Sequence, residues 1–252
     1  MAARTFDEMR SGADGAIRAP YRGVAQWLDS TSPERLAATR HEVDLFYRRH
    51  GITFGAYGAV EGSETTIPFD IIPRVIAWDE WEYLHKGLVQ RVRALNAFLA
   101  DAYDAREICR AGVIPEAQIL LNAEFVAMAQ GLALPGDVHA HIAGIDLVRV
   151  GERDFYVLED NVRTPSGVSY VLENREVMMR LAPELFSAMP VLPVADYTEE
   201  LLQTLRSVSF SDDAAPNVVL LTPGHYNSAY FEHETRHRFH LAHETRHQRG
   251  VR

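Results

Sequence analysis

The sequence predicts a mixed α/β (α+β) fold. Three observations carry that reading. Apolar residues recur at helical spacing from Trp78 to about Asp104, and strand-like segments at 138–149 and 155–160 flank a short polar turn. An apolar run from Val218 to Thr222 then reads as a buried strand that follows several helices. With 252 residues, 47% of them hydrophobic and 24% charged, the chain has material for one large domain or two small ones with a sizeable core.

Taken in order, residues 1–20 are polar and small, and loose order is expected there. Ser32-Pro33-Glu34 is a helix start, with Ser32 as N-cap and Pro33 at the first helical position; the helix runs to about His50 and stops at Gly51. Residues 52–76 are β-branched and aromatic but interrupted by Gly58, Gly62, Pro68 and Pro73, which predicts short strands and turns. Trp81, Leu84, Leu88, Val92, Leu95, Phe98, Leu99 and Tyr103 form the stripe of the long helix, a pattern that ordinarily marks core rather than a cofactor face. Further helices are expected at 116–130, ending at Gly131, and at 169–181 and 197–206. The resulting division is a main domain over 20–206, a linker over 207–216, the opening of a second domain over 217–232, and a tail over 233–252.

Composition narrows the function. A formal charge of −10 argues against nucleic-acid binding, which needs a basic surface to displace counterions. No apolar run approaches the length that spans a bilayer, and MAARTFDEMRSGADG lacks the apolar segment of a secretory signal. Cys109 is the single cysteine, which excludes an internal disulfide and a cysteine-rich zinc site. Together these point to the cytoplasm. Lys86 is the single lysine among 25 basic residues, so a mechanism needing several lysines on phosphate does not run on this chain alone.

The densest chemistry lies at 139–175. With Gly151 to Asp154 as the turn of a hairpin, Val150 faces Phe155 and Asp146 falls opposite Glu159. Glu159 and Asn161 share a face, Asp160 points to the other, and Gly144 leaves space opposite Asn161. Directly opposed carboxylates repel, so a shared proton, an arginine such as Arg149 or Arg163, or a divalent cation must offset them. Two carboxylates and an amide oxygen make a hard, oxygen-only set suited to magnesium. In the loop that follows, backbone N–H groups near Ser166 and Gly167 are placed to hold phosphate oxygens at a helix start, and Arg163 to pair with phosphate bidentately. An odd loop length in the hairpin would move Asp146 out of opposition. The plainer alternative is a solvated hairpin with scattered acids.

The blocks EDNVRTPSGVSYVLENR and AGIDLVR resemble the circularly permuted ATP-grasp proteins related to glutathionylspermidine synthase. PFDIIPRVI at 68–76, QRVRALNAFLADAYD at 90–104 and LLTPGHYNSAYFEH at 220–233 are similar to the same family, over roughly residues 20–233. The resemblance implies an ATP-dependent carboxylate–amine ligase, in which ATP phosphorylates a small carboxylate and an amine or peptide attacks the acyl phosphate. It implies Asp146, Glu159 and Asn161 as magnesium ligands, Arg163 as a catalytic contact to transferred phosphate, and Ser166 and Gly167 beside it. Arg74 and Arg175 are further candidates for an anionic ligand, with structural ion pairs as their ordinary reading. Permutation also explains why the metal motif precedes VVLLTPGHYNSAYFEH, which looks like the first strand of the family's Rossmann-like domain, with Tyr226, Asn227 and Ser228 on a ligand-facing turn. Family members continue for about as long again, so this chain reads as a truncated member that is incomplete as a catalyst.

Two alternatives compete. One is a non-catalytic protein, either a degenerate remnant or one that binds a partner through the unfinished edge at 218–222 and Tyr230-Phe231. The other is a zinc peptidase, because HETRH at 233–237 and again at 243–247 matches H-E-x-x-H. The tail holding both copies has few apolar residues and no following domain to complete a cleft, so its histidines are expected to bind metal only adventitiously. His139 and His141 are expected on the exposed side of a half-buried strand, and Cys109 as a buried, inert thiol.

Overall fold

The structure, a computed structural model, describes residues 6–11, 15–54, 65–211, 213, 216–222, 224 and 231–233. Its elements are the ribbon β1 (Arg10–Ser11) and β2 (Ala16–Ile17), then α1 (Arg22–Ser30) and α2 (Pro33–Arg49). A second ribbon pairs β3 (Thr53–Phe54) with β4 (Thr65–Thr66), before α3 (Trp78–Tyr103), α4 (Glu107–Arg110) and α5 (Glu116–Leu120). The hairpin β5 (Gly144–Arg149) and β6 (Phe155–Asn161) leads into α6 (Val168–Leu181), α7 (Pro183–Ala188) and α8 (Tyr197–Ser207). The described residues are thus mostly helical, and their sheets are three two-stranded antiparallel ribbons. No helix among them is long and apolar enough to cross a membrane.

Helix α6 organises the core. Met178 packs with Tyr21, Val24 and Trp27 and with Ala182 and Leu185 of the α6–α7 junction. Its neighbour Val177, about 100° around the helix, packs with Val43, Tyr47, Ile52 and Ile71. The C-terminal half of α6 therefore joins two apolar clusters, and Tyr170 near its start packs against the second of them. The α2 start follows the expected chemistry: the Ser32 hydroxyl accepts from the Arg35 N–H at 3.2 Å, with Pro33 first in the helix.

Helix α3 has the expected bounds, but its stripe is mostly half-buried. Leu84 is buried, whereas Trp81 is 42% exposed. The first turn of α3 is fixed by charge as well as by apolar contact. Glu80 reaches back to the Ala77 N–H through Oε2 at 3.2 Å, while its Oε1 takes Arg18 and Arg149, each at 2.5 Å. All three side chains are at most 5% exposed. Burial pushes the Glu80 carboxyl upward, but the hydrogen bonds from Arg149, Ala77 and Arg18 outweigh it and hold the group below its ordinary value. The loose order expected for residues 1–20 is corrected at Arg18, which this buried cluster fixes.

Four other expectations are corrected. The helix at 116–130 stops at Leu120, because the Asn122 side chain accepts from the Glu124 N–H at 2.9 Å and turns the chain; a 3-10 turn at Ala127–Ala129 follows. The strand begins at Gly144 rather than 138, because Asn96 of α3 takes the local backbone groups: its Oδ1 accepts from His139 and Ala140, and its Nδ2 donates to the Ala140 carbonyl. His139 and His141 are therefore loop residues; His139 stacks on Tyr103 at 6.1 Å. Val218 to Thr222 is not a buried strand. No described strand pairs with it, and Val219 and Leu221 are 77% and 88% exposed. Cys109 is half-buried on α4 rather than buried.

Candidate functional site

The turn of the β5–β6 hairpin has an odd length. Arg149 pairs with Phe155, and the Val150 N–H donates to the Asp154 carbonyl at 3.0 Å, so five residues form the loop. The expected pairing of Val150 with Phe155 is corrected by one position. Leu147 then pairs with Val157, but Asp146 pairs with Glu159, which leaves Leu158 as the extra residue of a β-bulge. The bulge restores the register, so Asp146 lies opposite Glu159 and Gly144 opposite Asn161. Two departures cancel, and the acid pair emerges where simple alternation placed it.

The bulge also sorts the faces. Leu147, Arg149, Val157 and Asp160 turn inward, whereas Asp146, Glu159 and Asn161 are all exposed. Asp160 is gripped bidentately by Arg91 of α3 at 2.5 and 2.6 Å, and that arginine holds its carboxyl below the usual carboxylate range. This grip fixes which face of β6 looks outward. The two arginines that would offset the acid pair are engaged elsewhere: Arg149 is on the inner face with Glu80, and Arg163 pairs with Glu124. Among the described residues no ion pair reaches Asp146 or Glu159. Nor do the described residues hold a group of three or more His, Cys, Asp or Glu side chains arranged for a metal; the set here is two acids and an amide.

Gly144 brings the following loop onto the hairpin end. A Cβ there would sit 2.9 Å from the Pro165 Cβ and 3.6 Å from that of Asn161, so a side chain would push the 162–167 loop away. Arg163 is exposed at 78%, and so is its partner Glu124 at 72%. Ser166 is exposed. Gly167 caps α6 with a φ of +106°, a conformation that favours glycine. Its N–H donates to Glu232 Oε2 at 2.8 Å, and Glu232 is only 3% exposed. The donor expected for phosphate thus holds a carboxylate in this structure. Burial and the nearby Glu232 raise the Tyr170 phenol above its ordinary value.

Arg74 and Arg175 come together on the wall of one cavity of about 760 Å³. Arg74 donates to Glu8 at 2.9 Å; Arg175 donates to the Leu192 carbonyl at 2.9 Å and lies over the Phe186 ring. Both therefore have the structural partners of their ordinary reading, and both also line a space large enough for a ligand. His233 meets the Thr222 hydroxyl at 2.7 Å through Nδ1. Tyr226, Asn227, Ser228, Tyr230 and the rest of both HETRH copies lie outside the described residues.

A family model described as a circularly permuted ATP-grasp matches residues 73–243. The chain belongs to the circularly permuted ATP-grasp family. That match spans the hairpin, the 162–167 loop and α6 together. An uncharacterized protein of Mycobacterium tuberculosis (strain ATCC 25618 / H37Rv) is 45% identical over 92% of this chain and 41% of its own length. One from Synechocystis is 43% identical over 88% of this chain and 46% of its own. A protein of Frankia casuarinae, provisionally named glutamate–cysteine ligase 2-2, is 37% identical over 90% of this chain and 26% of its own. This ATP-grasp chain spans less than half the length of these relatives.

Residue order alone missed four partners: Glu80, Arg91, Glu124 and Glu232. Glu80 left a local trace, an acid at the third position of a helix, where it can reach the N-cap N–H. The others act across 69, 39 and 65 residues, and no spacing rule reaches that far.

Proposed function

We propose that this chain supplies the metal- and phosphate-contacting part of an ATP-dependent carboxylate–amine ligase that acts through an acyl phosphate. The observation that carries the reading is the acid pair Asp146–Glu159 on the outer face of the hairpin, with Asn161 beside it and no described cation to offset it. Magnesium held by Asp146, Glu159 and Asn161 would, when bound, draw charge from phosphate oxygens and leave its remaining positions to water and substrate. Arg163 needs only to leave Glu124, and an exposed pair of that kind costs about 0–1 kcal/mol to break. The Gly167 N–H already binds an anionic oxygen, and a phosphate oxygen would take the place of Glu232. In the reaction, a substrate carboxylate oxygen attacks the γ-phosphorus and ADP leaves. The amine nitrogen then attacks the acyl carbon, phosphate leaves, and the nitrogen gives up a proton. Glutamate and cysteine, from the relatives' names, are the first substrates to try.

Calorimetric titration with ATP tests this. Heat of binding is expected with magnesium and not with EDTA, and Glu159→Gln is expected to remove it. Equal binding by wild type and Glu159→Gln would overturn the site. A second reading, attachment to a protein partner, is favoured by the exposed Val218–Leu221 run. It expects concentration-dependent association in light scattering that Leu221→Asp abolishes; a strict monomer would end it as far as self-association is concerned.

A further inference from the structure

The 760 Å³ cavity lies between the 7–9 segment, the 69–74 segment and one face of α6. Val171 on its wall is four residues beyond the Gly167 cap, about 6 Å of helix rise. Its charged lining is Arg74 and Arg175 against Asp7, Glu8 and Asp70. Three acids against two arginines suit neither a bare anion nor a bare cation. Phe69, Met178 and Phe186 add apolar wall.

The charged groups are oriented but not used up. Asp7 Oδ1 accepts from the Met9 and Arg10 N–H groups, and Asp70 Oδ1 from the Ile72 N–H, which leaves Oδ2 of each for a ligand. Arg175 is fixed through Nη1 on the Leu192 carbonyl, which leaves its other donors. Arg74 is held by Glu8 Oε1. The other oxygen of Glu8 and Nη1 of Arg149 are both buried, lack a hydrogen-bond partner among the described residues, and stand 3.9 Å apart. A small movement of Glu8 toward Arg149 would make that bond and release Arg74.

We propose that this cavity binds a zwitterion, an amino acid or short peptide with apolar side chains. Its carboxylate lies on Arg74 and Arg175, its ammonium group beside Asp7 and Asp70, and Glu8 passes from Arg74 to Arg149 as it enters. As a substrate subsite the cavity rests on the ligase reading; as a binding site it does not, so the test omits ATP and magnesium.

Three probes with one apolar body isolate each charge: leucyl-leucine, N-acetyl-leucyl-leucine and leucyl-leucinamide, titrated into the full chain and followed by calorimetry. Leucyl-leucine is expected to bind about tenfold or more tightly than either blocked form. Arg175→Gln is expected to weaken leucyl-leucine to the level of its amide. Asp70→Asn is expected to erase the preference over the N-acetyl form while near-ultraviolet circular dichroism stays native. Equal affinity for the three probes, no saturable binding, or unchanged affinity in a natively folded Arg175→Gln would overturn the proposal. Failure of magnesium-dependent ATP binding would leave this result standing and strike only the ligase reading.

Discussion

Glu159→Gln should have opposite effects on stability without and with magnesium. Directly opposed residues of an antiparallel pair have Cβ atoms about 4.5–5.5 Å apart, and Asp146 and Glu159 are such a pair. Two like charges about 5 Å apart in water repel by about 0.8 kcal/mol, and physiological salt reduces this to about 0.4 kcal/mol. In EDTA, neutralising Glu159 should therefore raise the unfolding free energy by about 0.4–0.8 kcal/mol. In magnesium at a hundred times its dissociation constant, the wild type should gain about 2.7 kcal/mol from binding while the variant gains little. The order of the two proteins reverses by about 2 kcal/mol. Urea unfolding at neutral pH, with EDTA or with magnesium, reads both values. Loss of stability in EDTA, or equal stabilisation of both proteins by magnesium, would refute an uncompensated acid pair that gathers a cation.

Other perturbations test the supporting structure. Glu80→Gln removes the carboxylate that Arg18 and Arg149 share, leaves Arg149 only Glu8 at 3.9 Å, and should cost about 3–5 kcal/mol in urea unfolding. Because the folded carboxyl of Glu80 lies below its ordinary value of 4.5, its contribution is complete above that pH and is lost as pH falls through the folded value. Acid titration of wild type and Glu80→Gln should therefore converge at low pH; a constant gap would contradict this. Gly144→Ala forces Pro165 away and should cost about 1–3 kcal/mol while weakening ATP binding more than a remote core change does. Leu185→Ala, in the Met178 cluster, is that remote control: about 2–5 kcal/mol of stability, with ligand affinity kept in the folded fraction.

Local signals were legible where the physics is local. Ser32 and Pro33 announced α2, and the apolar period marked α3 to within a residue or two. The acid pair was legible for a different reason. Its register depends on a loop one residue longer than the expected turn and on a bulge at Leu158 that absorbs the shift; turn chemistry announces neither, and the pair is found because the two departures cancel. The two strands at 138–143 and 218–222 were misread because apolar and β-branched residues report a tendency to extend, not the presence of a partner. Asn96 captured the first segment's backbone, and the second has no described strand beside it. The buried Arg18–Glu80–Arg149 cluster joins residues from three distant segments. Arginines that look interchangeable in sequence thus divide by position: Arg149 buried in that cluster, Arg163 exposed in the 162–167 loop with Glu124, and Arg74 and Arg175 on the cavity wall.

Manganese, which prefers the same oxygen donors as magnesium, offers the most direct view of the hairpin. Added in small amounts to nitrogen-15-labelled protein, it should broaden the amide signals of residues 144–147 and 158–162 first, and Asp146→Asn should abolish that pattern. Broadening that begins at the tail histidines or spreads evenly over surface acids, with the hairpin signals intact, would contradict a cation held between these two strands.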